Sequence, residues 1–231
     1  MVDYNCFVGT WPFRKIRKNS FEDLKKLHAD NNITEAYVSS TNSIFYNDPY
    51  EGDLDLRKEV SGENYHIVQT INPMLPGALP SLKRGLKELK TEGVKIFPGF
   101  HKYDLNCPEM KALTDKLREY KLPLFIVLRA DDERFSYMFE PEFVELESIR
   151  KFVNDNSDLE IYLCNIRLNE VEALKDIFLD NQNVFYDFSG IKSYIFQNEY
   201  LKEIGVRDKA KYGSMWPLFC IRSTVLAYNL D

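Results

Sequence analysis

The sequence predicts a single (β/α)8 barrel, an α/β fold that occupies residues 1–231 as one domain. The chain has 231 residues, of which 44% are hydrophobic, so it is long enough to bury a large core. Eight apolar runs of strand length alternate with segments that have helical spacing. Strands that alternate with helices pair in parallel, and eight such units close most readily into a barrel. A doubly wound open sheet is the alternative architecture.

The strands are predicted from apolar runs separated by turn and helix signals. The first run is stopped by Gly9 and Pro12, and the last run gives the weakest signal. Side chains alternate along a strand, so we expect Asp3, Asn5 and Phe7 to share one face. In chain order the predicted strands are Val2–Val8, Ile33–Ser40, Tyr65–Ile71, Gly93–Pro98, Pro123–Arg129, Leu159–Arg167, Asn183–Ser189 and Lys209–Met215.

The helices are predicted from apolar stripes and from their start signals. Ser20, with Asp23 three residues later, is a predicted N-cap, and Pro108 opens a later helix. The stripes consist of Phe21, Leu24, Leu27 and His28; Leu79, Leu82, Leu86 and Leu89; Met110, Leu113, Leu117 and Tyr120; Phe143, Leu146, Ile149 and Val153; Val171, Leu174 and Phe178; and Ile221, Val225 and Tyr228. The last stripe is short, so we expect it to stay partly uncovered and to pack against a second copy in a homo-oligomer.

Composition argues against several classes of partner. The net charge is −6 and no lysine or arginine cluster occurs, which argues against nucleic acid or a membrane as partner. The sequence has neither a basic leader followed by an apolar core nor a run of membrane-spanning length, so we expect a cytoplasmic protein. The four cysteines are far apart in sequence and are predicted to be free thiols.

Six short motifs carry a resemblance to a known family. They occur in chain order as Val2-Asp3-x-Asn5-x-Phe7-x-Gly9, Ile71-Asn72-Pro73, Gly93-Val94-Lys95-Ile96-Phe97-Pro98, Leu122-Pro123-Leu124-Phe125-Ile126, Asn183-Val184-Phe185-Tyr186-Asp187 and Gly213-Ser214-Met215-Trp216-Pro217. In order and spacing they resemble the amidohydrolase-related family of metal-dependent hydrolases, which also includes decarboxylases. The resemblance covers nearly the whole chain and implies a TIM barrel with its site at the carboxyl ends of the strands.

The resemblance also implies ligand positions, and this sequence departs from the family at each of them. The paired histidines of the first strand correspond to Asn5 and Phe7, and the histidines of the fifth and sixth strands to Val127 and Asn165. The aspartate of the last strand corresponds to Met215. These side chains supply almost no charge and no imidazole, so we expect no catalytic metal and no cofactor. Alternation is expected to turn Cys6 and Cys164 outward, toward the helices.

A cluster of cationic residues is predicted where the ligands are missing. Arg129 and Arg167 each follow a lost ligand position by two residues and are expected to point into the same crevice. Further substrate-binding candidates are Lys95, His101, Tyr103 and Asp187. Because arginine suits bidentate recognition of carboxylates and phosphates, the predicted ligand is a small anionic molecule. The alternative is an internal ion pair, either Arg129 with Asp132 or Arg167 with Asp187.

Three functions stay open from the sequence. The first is a binder of a small anion that has lost metal-dependent hydrolysis. The second is an enzyme, either a hydrolase with an unfamiliar metal set or a metal-free lyase or decarboxylase that uses His101 or Lys95 as acid or base. The third is a structural subunit of a complex. Specificity in a barrel resides in its loops, so the sequence does not identify the ligand.

Overall fold

A computed structural model of the chain describes residues 1–130, 141–191 and 196–229. Its eight strands form one sheet in which each strand pairs in parallel with the next along the chain. The strands are β1 (Val2–Val8), β2 (Glu35–Ser40), β3 (Tyr65–Thr70), β4 (Gly93–Ile96), β5 (Leu124–Val127), β6 (Ile161–Cys164), β7 (Val184–Asp187) and β8 (Ala210–Lys211).

Backbone hydrogen bonds close the sheet into a barrel. The N–H of Tyr4 donates to the carbonyl of Tyr212 at 2.8 Å, and the N–H of Phe7 donates to the carbonyl of Trp216 at 2.8 Å. Between them, the N–H of Met215 donates to the carbonyl of Asn5 at 2.7 Å. These bonds join β1 to β8 and the segment that follows it, which confirms the (β/α)8 barrel and rules out the open sheet.

Every predicted strand is present, and most are shorter than the apolar run that predicted them. The fifth and sixth runs shrink from both ends, to Leu124–Val127 and Ile161–Cys164. Asn165, directly after β6, has a φ of 57° and so leaves the extended conformation. A run of apolar residues indicates that the segment is buried. Burial continues past the last hydrogen bond between neighbouring strands into the loops at the barrel mouth, so the apolar run is longer than the strand.

Eleven helices lie in the described ranges. They are α1 (Phe21–Asp30), α2 (Asn42–Phe45), α3 (Pro49–Glu59), α4 (Ala78–Glu88), α5 (Pro98–His101), α6 (Pro108–Tyr120), α7 (Leu146–Asp155), α8 (Leu168–Ala173), α9 (Lys175–Asp180), α10 (Gln197–Glu203) and α11 (Ile221–Asn229). The predicted cap is confirmed, because Ser20 Oγ accepts the N–H of Asp23 at 3.2 Å. None of the described helices is long and apolar enough to cross a membrane.

Four helices were not predicted, and one predicted helix is divided. The sequence pattern missed α2, α3, α5 and α10, of which α2 and α5 lie in the loops that follow β2 and β4 and α3 is the helix between β2 and β3. The stripe of Val171, Leu174 and Phe178 belongs to the two short helices α8 and α9, which meet at Leu174. An apolar stripe continues across such a break because both helices bury their side chains against the same sheet.

The barrel interior is aromatic at its amino-terminal end. Tyr4 stacks between Tyr37 and Tyr162, with ring centroids 5.3 and 5.1 Å away. Tyr162 also stacks on Phe125 at 4.7 Å and on Phe185 at 5.3 Å. Stacked rings fill this end of the barrel with side chains that have few rotamers. Polar groups that could act chemically are therefore confined to the upper part of the interior and to the mouth.

The last helix is covered better than the sequence predicts. Ile221 is buried, with 3% of its surface exposed, and packs with the apolar residues between β1 and α1. Val225 and Tyr228 are half-buried. The ring of Tyr228 lies 5.5 Å from Phe188 and 5.7 Å from Tyr212. The expectation that Ile221 stays uncovered is wrong, because α11 lies against the sheet that it closes.

Candidate functional site

A β-bulge in β1 decides which side chains enter the barrel. The pairing of β1 with β2 shifts register between Asp3 and Cys6. As a result Tyr4 and Asn5 both face the interior, while the carboxylate of Asp3 faces His28 of α1. The prediction that Asp3, Asn5 and Phe7 share one face is wrong for Asp3, because an extra residue in a strand reverses the alternation beyond it.

A buried lysine occupies the upper part of the interior. Lys95 of β4 is fully buried, and its Nζ donates a hydrogen bond of 2.9 Å to Asn5 Oδ1. The same ammonium lies 4.3 Å from the ring centre of Phe7 and 5.6 Å from that of Phe125. Aromatic faces attract a cation, and they do so more strongly when water is excluded. Lys95 is therefore held inside the barrel and does not extend into solvent at the mouth.

Asn5 connects this lysine to a buried carboxylate. Its Nδ2 donates to Asp187 Oδ2 at 2.5 Å and lies 2.8 Å from the sulfur of Met215. The other carboxylate oxygen, Asp187 Oδ1, accepts hydrogen bonds from the backbone N–H of Asn165 and from the N–H and hydroxyl of Ser189. Ammonium, amide and carboxylate thus form one chain, in which each group has a hydrogen-bond partner.

The pKa values of this chain reflect its burial. Burial is the largest influence on Lys95 and lowers the pKa of its ammonium, while Asp187 and Asp3 act in the opposite direction. Burial also raises the pKa of Asp187, and the hydrogen bonds from Ser189, Asn165 and Asn5 oppose that shift. Both shifts favour the neutral forms, so the network costs free energy that the surrounding contacts must offset.

The residues present do not fit a catalytic divalent metal in the interior. Asn5, Phe7 and Met215 converge on one place, and the ammonium of Lys95 occupies it. Val127 lies in the same apolar interior cluster. The remaining position, Asn165, turns out of register, and its Nδ2 donates to the carbonyl of Arg129 at 2.7 Å. A fixed positive charge repels a divalent cation, and this donor set offers neither imidazole nor thiolate.

Within the described ranges one group of potential ligands comes together, but it lies elsewhere. Asp3, Cys6 and His28 place their donor atoms within 4.8 Å of one another, on the helix side of β1. Asp3 Oδ1 accepts N–H groups from Asn5 and Ser214, and Asp3 Oδ2 lies 3.2 Å from His28 Nε2. Burial raises the pKa of Cys6 well above its usual value, so the thiol stays protonated. We interpret the group as a hydrogen-bonded link between β1, α1 and the end of β8.

The two strand cysteines face opposite sides of the sheet. Cys6 lies with Phe21 and Leu24 on the helix side, as predicted. Cys164 lies in the interior with Phe125 and Tyr162, so its predicted outward direction is wrong. The prediction placed Asn165 in register inside the strand, whereas β6 ends one residue earlier. Inside the barrel, burial raises the pKa of Cys164 well above its usual value.

Glu170, which the sequence analysis did not select, binds the side chain of Arg129 and the backbone of Arg167. The guanidinium of Arg129 forms a bidentate pair with Glu170, with distances of 2.8 and 2.5 Å. Glu170 also accepts the backbone N–H of Arg167 at 2.9 Å, and Arg129 donates to the carbonyl of Asn165 at 2.9 Å. The described contacts of Asp187 are with Asn5, Asn165 and Ser189. The other predicted partner, Asp132, lies outside the described residues.

A sequence signal for Glu170 did exist. It lies three residues after Arg167 and near the start of α8, where a glutamate side chain commonly reaches back to the N-cap backbone. That signal predicts where the helix begins. It does not predict which cation binds the carboxylate oxygens of Glu170. Glu170 is 95% buried as a side chain and Arg129 is 87% buried, so the pair belongs to the wall of the mouth.

His101 and Tyr103 lie near the mouth, on α5 and in the loop after it. His101 Nε2 lies 3.0 Å from the carbonyl of Ile44 and therefore carries the proton, which leaves Nδ1 as an acceptor. Burial lowers the pKa of His101, which favours this neutral form. Nδ1 of His101 and the hydroxyl of Tyr103 are buried and have no hydrogen-bond partner in the described part of the chain. Burial raises the pKa of Tyr103 well above its usual value.

The mouth above Lys95 is closed by aromatic side chains that the sequence analysis assigned to no role. Trp11 is 2% exposed and makes edge-to-face contacts with Phe13, Phe45 and Phe100, with ring centres 5.8, 5.2 and 6.0 Å away. These rings come from three different loops, which follow β1, β2 and β4. Such a cluster was not detectable in sequence, because the residues are far apart along the chain.

The architecture is a closed (β/α)8 barrel with a buried polar network in its interior. No family model and no curated protein matches the sequence. Solved structures do match. Amidohydrolase 2 from Bifidobacterium longum subsp. infantis is 14% identical, with a TM-score of 0.63 over 100% of this chain and 98% of that one.

Two further solved structures have the same likeness. The 5-carboxyvanillate decarboxylase of Sphingomonas paucimobilis is 12% identical, with a TM-score of 0.63, covering 97% of this chain and 90% of that one. A protein from Acinetobacter baumannii, named a probable 2-pyrone-4,6-dicarboxylic acid hydrolase and solved with citric acid bound, is also 12% identical. Its TM-score is 0.68, over 98% of this chain and 90% of that one. The chain therefore has the fold of amidohydrolase-related TIM barrels, and the predicted resemblance is confirmed at the level of the fold.

Proposed function

We propose that this barrel binds a small anionic molecule at its mouth and does not carry out metal-dependent hydrolysis. The observation that carries the proposal is the position of Lys95. Its ammonium lies among Asn5, Phe7 and Met215, which replace metal ligands if the chain follows the family pattern. A lysine side chain there places a covalently attached amine where an exchangeable metal ion would lie, and it cannot activate water as a divalent ion does.

The anion site is proposed at Arg129 and Arg167. Glu170 forms a bidentate pair with the guanidinium of Arg129, whereas its contact with Arg167 is to the backbone N–H. An anionic ligand therefore competes with Glu170 for the guanidinium of Arg129. Of the other residues selected from the sequence, His101 and Tyr103 lie near the mouth, and Lys95 and Asp187 lie in the interior below it.

The names of structural relatives agree with a carboxylate as ligand. The Acinetobacter protein is solved with citric acid bound, and the Sphingomonas enzyme is named for a carboxylated aromatic substrate. A carboxylate matches the two parallel donors of a guanidinium. We therefore take a carboxylate as the first ligand class to test, with phosphate as the second.

The test combines metal analysis with thermal unfolding in citrate. Protein purified without chelator is expected to contain well under one equivalent of zinc, manganese or iron. Citrate is expected to raise the melting temperature, because a ligand that binds the folded state stabilises it, and added salt should weaken the effect. Arg167→Gln should abolish the citrate-dependent shift. Near-stoichiometric metal in the interior, or an equal citrate shift in parent and variant, would overturn the proposal.

A further inference from the structure

A cleft of about 380 Å³ lies between the amino-terminal ends of α3 and α4, above the end of β3. Its walls come from three segments that surround the carboxyl end of β3, comprising residues 47–50, residues 70–72 and residues 75–84. None of its lining residues belongs to the proposed mouth site around Arg129, Arg167 and Glu170. The cleft is therefore a separate feature, and its ability to bind a ligand can be tested separately.

The two helices that begin at this cleft differ in whether a side chain accepts a backbone N–H of their first turn. In α3 the carboxylate of Asp48 accepts the N–H of Tyr50 at 3.1 Å and supplies a negative charge. In α4 the N-cap residue is Gly77, which has no side chain to do this. The N–H of Leu79 has no protein acceptor in the described ranges. The positive end of α4 therefore faces the cleft without a counter-charge of its own.

A buried hydroxyl gives a second, independent sign of a missing partner. Thr70 lines the cleft, is fully buried, and its Oγ1 has no hydrogen-bond partner in the part of the chain that the structure describes. The backbone N–H of Thr70 is already used, because it donates to Asp53 Oδ2 at 3.0 Å. A buried polar atom without a partner costs free energy, so a ligand that reaches this hydroxyl gains a hydrogen bond at little expense.

A positioned cation and an apolar wall complete the site. The guanidinium of Arg84 lies 4.1 Å from the ring centre of Tyr50, and both residues line the cleft. Arg84 also donates to Glu88 at 3.3 Å, which leaves other N–H groups of its fork for a ligand. Leu75 and Pro76 form an apolar part of the wall.

We propose that this cleft binds a small molecule that carries a phosphate or carboxylate group. The anionic group lies at the first turn of α4, where it accepts the N–H of Leu79 and contacts Arg84. The hydroxyl of Thr70 donates to the same ligand, and the remainder of the ligand packs against Leu75 and Pro76. The backbone amide of Leu79 and the guanidinium of Arg84 are donors only, and the hydroxyl of Thr70 can also donate, so together they favour an anion.

Gly77 offers a direct test of the charge preference. A Cβ at this position would meet nothing within 4 Å, so Gly77→Asp and Gly77→Ala both fit. The aspartate side chain can cap the N–H of Leu79 and adds a negative charge, whereas alanine does neither. Inorganic phosphate is titrated into the ¹⁵N-labelled protein while the amide signal of Leu79 is followed. The parent and Gly77→Ala should show a saturable shift, whereas in Gly77→Asp the apparent affinity should fall about tenfold or more.

Two more variants separate this site from the one at the mouth. Arg84→Gln should weaken phosphate binding about tenfold, and Thr70→Val should weaken it without destabilising the fold, since its hydroxyl has no protein partner to lose. Arg167→Gln should leave the Leu79 shift unchanged. The inference is overturned if phosphate causes no saturable shift at Leu79, or if Gly77→Asp and Gly77→Ala bind it equally. Loss of citrate binding at the mouth would leave these results intact.

Discussion

Lys95 Nζ lies 2.9 Å from Asn5 Oδ1, and this hydrogen bond joins β4 to β1 across the interior of the barrel. Through Asn5 the ammonium is connected to the buried carboxylate of Asp187, 2.5 Å from Asn5 Nδ2. A cation and an anion separated by one amide share a low-dielectric environment, so each reduces the cost of burying the other. The first prediction follows from this dependence.

Lys95→Met should destabilise the fold by about 3 kcal/mol, because it leaves a buried carboxylate without its cation. Urea unfolding measures this loss. The control is the double variant Lys95→Met with Asp187→Asn, which removes both charges. Its destabilisation should be smaller than the sum of the two single effects. Additive effects would show that the two groups do not interact through Asn5.

Glu170→Gln should change stability and anion affinity in opposite directions. The Glu170 carboxylate and the Arg129 guanidinium are both largely buried, so losing the charge of one partner should cost about 2 kcal/mol in unfolding free energy. The same substitution removes the carboxylate that competes with a ligand, so citrate should bind about tenfold more tightly by calorimetry. Arg129→Gln is the matched control and should lose both stability and citrate binding. Weaker citrate binding by Glu170→Gln than by the parent would contradict the site at the mouth.

Asp53→Asn should make the unfolding free energy of the protein less sensitive to rising pH. Asp53 is fully buried, and burial raises the pKa of its carboxyl well above the usual value, against hydrogen bonds from Ser43 and the N–H of Thr70. A raised folded-state pKa means that this group stabilises the fold below the unfolded pKa. The contribution is lost as the pH rises through the folded pKa.

The measurement for Asp53 is the unfolding free energy of parent and variant between about pH 4 and pH 8. The difference between the two proteins should shift in favour of the variant as the pH rises. An asparagine keeps an acceptor for Thr70 and a donor for Ser43, so the local hydrogen bonds survive. A constant difference over this range would show that Asp53 does not titrate abnormally in the folded state.

Cys220 should be the thiol that reacts first with an alkylating reagent in the folded protein. It is exposed just before α11, and the nearby N–H of Ser223 lowers its pKa. Burial raises the pKa of the other three thiols, Cys6, Cys107 and Cys164. Mass spectrometry should therefore find about one rapidly labelled equivalent at neutral pH. Cys220→Ser should remove the rapid phase, and labelling of Cys164 at the same rate would contradict the buried interior.

Local sequence determined the fold class and most of its elements. Each of the eight strands was detectable as an apolar run, and Ser20 with Asp23 marked the start of α1. Helices in the mouth loops, such as α2 and α5, were missed because four residues are too few to show a period of 3.6. The replacement of ligand-type residues at Asn5 and Met215 was also visible, since it depends on residue identity alone.

The partners of those residues were decided only by the tertiary structure. A bulge in β1 and the left-handed backbone of Asn165 reverse the direction of side chains that simple alternation assigns, as at Asp3 and Cys164. Glu170 of α8 binds Arg129, and Lys95 turns inward to Asn5 instead of toward solvent. Sequence patterns predict burial and local conformation, because these leave a periodic signal in residues that are close together along the chain. The pairing of charged side chains depends on residues from strands that are distant in sequence, and only the closed barrel brings these residues together.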